Sequence, residues 1–231
     1  MERILAVSIH CETVATETLD PRLIEDMWTL FFRHYTGMTR DVFEHDLKQK
    51  QQALILWRSG QLAGFTSQRF ETIQGQRVIF SGEVIVTPEA RDIGTAHFFR
   101  NWANAVWNKC DWWCALSAGP RTFRIPHTFW RRTTPNLIGD ETPEERELRH
   151  TFAEFVYGDG YCRESGIVKL PQPYTLRKQE QQMREDYPMD DYFRSVNPGW
   201  QEGDELVSLI NLHPDNWKPV ALRILKWKKS P

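Results

Sequence analysis

The stretch from Phe80 to Ala96, FSGEVIVTPEARDIGTA, constrains the fold more than any other part of the chain. Val84, Ile85 and Val86 are β-branched and favour a packed, pleated strand. Pro88 has no N–H to give to a ladder and ends that strand. Gly94 stands where a helix opens, the place where free backbone amides favour an anion. From there the period changes. Phe98, Trp102, Ala105 and Val106 recur at the spacing of a core-facing helix. A strand, a turn and a buried helix in direct succession predict an α/β protein.

The six residues Arg91-Asp92-Ile93-Gly94-Thr95-Ala96, preceded by Val86-Thr87-Pro88, resemble the cofactor motif of the GNAT superfamily of acyltransferases. That motif is Arg/Gln-x-x-Gly-x-Gly/Ala after a strand ending Val-x-Pro. The hexapeptide alone arises by chance; the strand before it and the helix after it make it specific. An ordinary strand-to-helix turn with a helix-opening glycine is the plainer alternative.

The rest of the chain supplies a compatible order. Arg3 to Ile9 reads as a first strand. Asp20-Pro21 opens a helix with Ile24, Trp28, Phe31, Phe32 and Tyr35 on one face, and Gly37 stops it. Thr39 caps a second helix carrying Phe43 and Leu47. Three strands follow, over Ala53–Trp57, Leu62–Ile73 and Arg77–Val86, joined at Ser59-Gly60 and Gln74-Gly75. Trp112 to Ala118 is the next strand.

Beyond Pro120 the pattern is harder to follow. Arg121–Asn136 is basic, aromatic and broken by prolines. Thr142 to Glu145 is a capping box whose helix carries Leu148, Phe152, Phe155 and Val156. Strands are predicted at Gly166–Leu170 and Glu205–Leu212. A polar surface helix is predicted over Thr175–Asp186, and a short helix or irregular tail over Trp217–Lys229. The resemblance implies a GNAT-like fold, a mixed and mostly antiparallel sheet flanked by helices. Residues 1–135 form its core and 136–231 complete the sheet and wall one side of an acceptor cleft, in one compact domain.

The 231 residues carry a formal charge of −2, which gives no reason to expect a nucleic-acid partner. No apolar run approaches the roughly 20 residues needed to span a bilayer, and the first residues lack the basic lead and apolar core of a signal peptide. A cytoplasmic protein is expected. Four cysteines suggest neither a disulfide scaffold nor a closed zinc site, so no metal is expected. Ten tryptophans leave room for an aromatic-lined cavity.

The resemblance implies coenzyme A, or an acylated form of it, as co-substrate. Its pyrophosphate would lie against the amides of Asp92, Ile93, Gly94, Thr95 and Ala96, with Arg91 adding charge. The backbone of Val84, Ile85 and Val86 would orient the pantetheine and thioester in a gap between the strand ending at Val86 and the strand Trp112–Ala118. An amine on a small molecule or peptide would attack the thioester carbonyl, which needs a base, an oxyanion donor and an acid for the thiolate. Glu83 is the first base candidate, then Glu71, then His127. Each has an ordinary solvated role as its alternative. The family's general-acid tyrosine is matched here by Phe123, which has no proton to give; Tyr157 and Tyr161 lie too far along to carry it over.

Arg121, Arg124, Arg131 and Arg132 interleave with Phe123, Phe129 and Trp130. They suit a 3′-phosphate, an acyl-carrier protein or an acidic peptide, or simply form a solvated basic loop. The aromatic content and the long C-terminal part point to a medium- or long-chain acyl group, or a bulky acceptor. A GNAT-like module that binds CoA or a peptide without turnover, and a structural α/β domain with a chance motif, are the competing readings.

Overall fold

The computed structural model describes residues 8–91, 93–177 and 187–226. The chain begins with β1 (Ile9–Ala15), α1 (Pro21–His34), a two-residue strand β2 (Tyr35–Thr36) and α2 (Arg40–Lys48). Then come β3 (Gln52–Arg58), β4 (Gln61–Ile73), β5 (Gln76–Ser81), β6 (Ile85–Val86), α3 (Ile93–Val106) and β7 (Trp112–Ser117). The remainder is α4 (Pro120–Phe129), α5 (Pro143–Tyr157), β8 (Tyr161–Cys162), β9 (Ile167–Val168), β10 (Thr175–Leu176), α6 (Pro188–Val196), β11 (Glu205–Asn211) and α7 (Pro219–Leu225).

One sheet runs in the order β1-β3-β4-β5-β7-β11-β9-β8, with β6 attached to β4. Every pairing in it is antiparallel except β5 with β7, which are parallel and joined through α3. The fold is therefore mixed α/β with a mostly antiparallel sheet flanked by helices. Its element order through β7 is the one that the GNAT resemblance implies. The C-terminal half enters the same sheet, because β11 pairs with β7 from Leu206↔Ser117 to Asn211↔Trp112.

Strand alternation sorts side chains to the two faces. Leu54, Leu56, Ile79, Trp113 and Ala115 pack with Phe98, Phe99, Trp102 and Val106 of α3. Ala53, Ile55 and Phe65 point the other way, onto Met27 and Phe31 of α1 and Phe43 and Leu47 of α2. Val78, Phe80 and Cys114 meet Phe152 and Ala153 of α5 on that second face.

Caps act where the sequence puts them. The Asp20 carboxylate accepts from Arg22 N at 2.7 Å. Thr142 and Glu145 close their box with bonds of 3.2 and 3.0 Å.

Several expectations are corrected. The first strand is Ile9–Ala15, not Arg3–Ile9. It lies at the sheet edge, where one polar side per strand costs little, so a continuous apolar run was the wrong signal; residues 3–7 lie outside those described. Phe32 is exposed, and the buried face of α1 is Met27, Leu30, Phe31 and His34; the helix ends three residues before Gly37. Phe155 is likewise exposed on α5. The proline-broken stretch after Pro120 contains α4, a helix that keeps Pro126 inside it. Thr175 and Leu176 form a strand on Thr36 and Tyr35, not a helix start. The rest of that predicted helix, residues 178–186, is outside those described.

Candidate functional site

The predicted strand Arg77–Val86 is two strands separated by a bulge. Ser81 stands opposite Gln68 and Ile85 opposite Phe65. Two residues of β4, Thr66 and Ser67, therefore face three, Gly82, Glu83 and Val84. One extra residue bends a strand and re-aims its side chains. Gly82 N donates to Ser67 O at 2.8 Å, and a Cβ on Gly82 would fall on Ser67 Oγ. A Cβ on Gly64 would stand 2.5 Å from Ile85 O. Both glycines are where backbone must come close.

Past the bulge, β5 and β7 part. Their pairing runs from Val78↔Trp112 to Ser81↔Ala115 and stops. Leu116 and Ser117 continue on β11, while Ile85 and Val86 turn to β4. The wedge opens at the carboxyl ends of the parallel pair, the usual position for a ligand crevice. Two cavities meet there, of about 300 and 390 Å³. Ser81, Val84, Trp113, Thr122 and Ile125 line both.

The first cavity runs from the start of α3 into an aromatic end. Arg91, Thr95 and Arg121 line it together with Val84, Ile85 and Val86. Arg91 Nε donates to Val86 O at 3.2 Å, which ties the arginine to the end of β6. At the other end Trp102, Trp113 and Trp130 form a triangle with ring centroids 4.7, 5.5 and 5.3 Å apart, beside Phe99 and Phe129. The Nε1 atoms of Trp113 and Trp130 are buried without a hydrogen-bond partner.

Gly94 is buried and faces the sheet. A Cβ there would lie 3.1 Å from Leu56 Cδ2 and 3.3 Å from Ala90 Cβ, so its small size serves helix-to-sheet packing. Ala96 is half-buried. Asp92 and the side chain of Ile93 are outside the described residues.

The second cavity has largely apolar walls with a group of charged and hydroxyl side chains set into them. Glu83, Glu205, Asp46, Lys50, Arg69, Tyr157 and Tyr174 all line it. Ser67 Oγ donates to Glu83 Oε2 at 3.2 Å. Burial pushes the Glu83 carboxyl up to about 7, with the charge of Asp46 adding and Lys50 opposing. Glu205 is only 2% exposed, and burial likewise raises it to about 7, opposed by a hydrogen bond from Tyr174 and helped by the charge of Glu83. Its Oε1 has no hydrogen-bond partner. Burial holds the hydroxyls of Tyr157 and Tyr174 well above the usual tyrosine range. The two cations are engaged: Lys50 pairs with Asp46 at 2.8 Å, and Arg69 with Glu71 at 2.7 Å.

The bulge thus places Glu83 on the second cavity, next to Val84, which lines both. Glu71 lines neither; it lies farther along β4, opposite Val78. His127 also lines neither. It contacts Thr133 Oγ1 within 3.1 Å, and burial, then the charge of Lys218, lowers it to about 4. Phe123 is fully buried against Ile167, Phe193 and Leu206.

The basic cluster is divided. Arg121 reaches the first cavity. Arg124 pairs with the fully buried Asp190 at 3.3 Å, and Arg132 with Glu145 at 2.7 Å. Glu205 and Tyr174 were invisible to motif reasoning. The one available signal was a charged residue opening an otherwise apolar strand, ELVSLIN.

The chain matches no protein-family model, and no curated protein matches it by sequence. Among solved structures it is similar to a protein of Enterococcus faecalis V583 described as a probable N-acyltransferase, at 14% identity and TM-score 0.42, over 55% of this chain and 33% of that one. It is similar to FeeM, an N-acyl amino acid synthase from uncultured soil microbes, at 12% identity and TM-score 0.44, over 57% of this chain and 83% of that one. A third is a GNAT family N-acetyltransferase of Escherichia coli in complex with CoA, at 14% identity and TM-score 0.39, over 53% and 69%. The chain spans about a third of the Enterococcus protein's length. At these scores the likeness carries no argument about activity.

Proposed function

We propose that the protein is an acyltransferase that moves an acyl group from a CoA-type thioester to an amine, with the thioester in the first cavity and the amine in the second. The observation that supports this reading is the bulge at Gly82–Val84, which sets Val84 on the wall of both cavities and the adjacent Glu83 carboxyl, raised to about 7, on the second.

The first cavity fits the donor by its chemistry. Arg91, Arg121 and the opening turn of α3, whose first amides have no partner within the helix, suit phosphate groups. The slot lined by Val84–Val86 and Ile125 suits an aliphatic arm, and the tryptophan triangle suits an acyl chain longer than acetyl. A thioester held there supplies an electrophilic carbonyl.

Glu83 takes the proton from the amine as the new C–N bond forms and the C–S bond breaks. A base near 7 is matched to this task, because about half of it is ionised at neutral pH and it is basic enough to accept a proton. The leaving sulfur regains a proton from water. Glu71 and His127, which line neither cavity, have no part in this reading.

The test is release of free thiol from acetyl-, octanoyl- and palmitoyl-CoA with a panel of amines. Thiol release that requires an amine supports the reading. A second reading, a CoA-binding module without turnover, is favoured by Phe123 at the position of the family's acid. Thermal stabilisation by CoA with no thiol released from any donor selects that module instead.

A further inference from the structure

The second cavity contains more negative charge than acyl transfer needs. One carboxylate suffices as base, yet Glu83 and Glu205 both line this space. Lys50, the cation whose charge acts on both, is shared with Asp46 at 2.8 Å, and Arg69 is paired with Glu71 at 2.7 Å. Glu205 begins β11, a buried strand in the middle of the sheet, and is 98% enclosed with Oε1 unpartnered. A buried carboxylate oxygen without a donor is costly, so an arrangement that keeps one has a partner to receive. Tyr174 already gives Glu205 one hydrogen bond and fixes its orientation.

We infer that the second cavity selects an acceptor with two cationic nitrogens, a diamine or polyamine, and that Glu205 holds the ammonium that is not acylated. This rests on the acyltransferase reading. The acceptor's reacting nitrogen loses its proton to Glu83, while its second nitrogen stays an ammonium and donates to Glu205. The Glu205 carboxylate then faces a charge of the opposite sign in an enclosed space, where charge-assisted hydrogen bonds are strongest. Acceptors that carry a carboxylate meet like charge and are rejected. Glu205 is in this account a specificity residue, distinct from the base.

The experiment compares alkyl monoamines with α,ω-diamines from 1,3-diaminopropane to 1,6-diaminohexane, with acetyl-CoA as donor. The expected result is a diamine-to-monoamine preference in kcat/KM of about 10- to 100-fold for the best chain length. In Glu205→Gln that ratio falls toward one, chiefly through the KM of the diamine. Equal kcat/KM for diamines and monoamines, or preference for amino acids, overturns the inference while leaving acyl transfer standing. A second measurement does not depend on turnover. Calorimetric titration of the protein with 1,4-diaminobutane and 1,6-diaminohexane, without donor, is expected to show binding that butylamine does not match and that Glu205→Gln loses. Absence of diamine binding in a folded wild-type protein overturns the inference even if no thiol is ever released.

Discussion

Ser67 on β4 and Glu83 in the bulge are joined by a 3.2 Å hydrogen bond across the one place where three residues oppose two. The hydroxyl donates, so it stabilises the ionised carboxylate, while burial and Asp46 work against it. The balance near 7 yields a definite kinetic expectation. For Glu83→Gln, kcat is expected to fall by about 10²- to 10⁴-fold. In the wild type, kcat/KM rises with pH through about 7, since the base must be ionised to act. Glu71→Gln, outside both cavities, keeps the wild-type profile. A pH profile in Glu83→Gln that still rises through about 7 would refute the assignment.

Glu205 makes a separate claim on stability. Its folded value, about 7, lies above the ordinary 4.5. A carboxyl raised on folding binds its proton more tightly in the native state. Its contribution is fully present below about 4.5 and is lost as pH rises to about 7. Above that, the ionised group is a net penalty. Glu205→Gln is thus expected to be more stable than wild type at pH 8, by at most about 2–3 kcal/mol, and to lose that advantage at pH 4.5. Urea unfolding at the two pH values measures it. A variant equally destabilised at both would mean that the carboxylate is structurally required.

Phe123 tests whether a hydroxyl at this buried position can serve as an acid. Its ring is fully buried among Ile167, Phe193 and Leu206 and lies tilted against His127, with ring centroids 4.7 Å apart. A hydroxyl added there enters an apolar cluster. Phe123→Tyr is expected to lower stability by about 1–3 kcal/mol, with no gain in thiol release. An increase in kcat would show that the position still communicates with the reacting sulfur.

The sequence exposed the scaffold better than the chemistry, for physical reasons that differ by residue. Asp20, Thr39 and Thr142 cap helices through contacts two or three residues away, so local pattern finds them. The turns at Ser59-Gly60 and Gln74-Gly75 are equally local. Glu83 was found only as a neighbour of the motif, because its aim depends on a bulge created by pairing with Thr66 and Ser67, far back in the chain. Glu205 and Tyr174 come to the same cavity from β11 and the approach to β10 by tertiary packing alone. The hidden helix α4 misled because Pro126 reads as a breaker, although the helix runs on to Phe129 at the loss of one backbone hydrogen bond.

Arg91 is expected to act on donor binding. It lines the mouth of the first cavity and is braced on Val86 O. Arg91→Ala is expected to raise the KM for acyl-CoA about tenfold, with kcat little changed, because a phosphate contact far from the carbonyl binds ground and transition states alike. The increase should persist with dephospho-CoA thioesters, which keep the pyrophosphate, and shrink with pantetheine thioesters. Equal sensitivity of pantetheine thioesters, which lack the pyrophosphate, would place Arg91 in a different role.

Gly64 provides the test of the wedge itself. A side chain there meets Ile85 O at 2.5 Å and Val86 Cα at 3.2 Å, both backbone atoms that cannot rotate away. Gly64→Val must therefore push β6 off β4, toward the gap where β5 and β7 part. Stability is expected to fall by about 1–3 kcal/mol, the range for an overpacked interior. Activity should fall by more than the loss of folded protein explains, since Val84, Val86 and the Arg91 brace all move with β6. Gly60→Ala is the control: it sits at positive φ in the exposed turn after β3 with no atom within 4 Å of an added Cβ. It is expected to lower stability through backbone strain while leaving kcat/KM per folded molecule unchanged. If Gly64→Val also loses only stability, the segment after the bulge is a passive wall and the thioester does not lie along it.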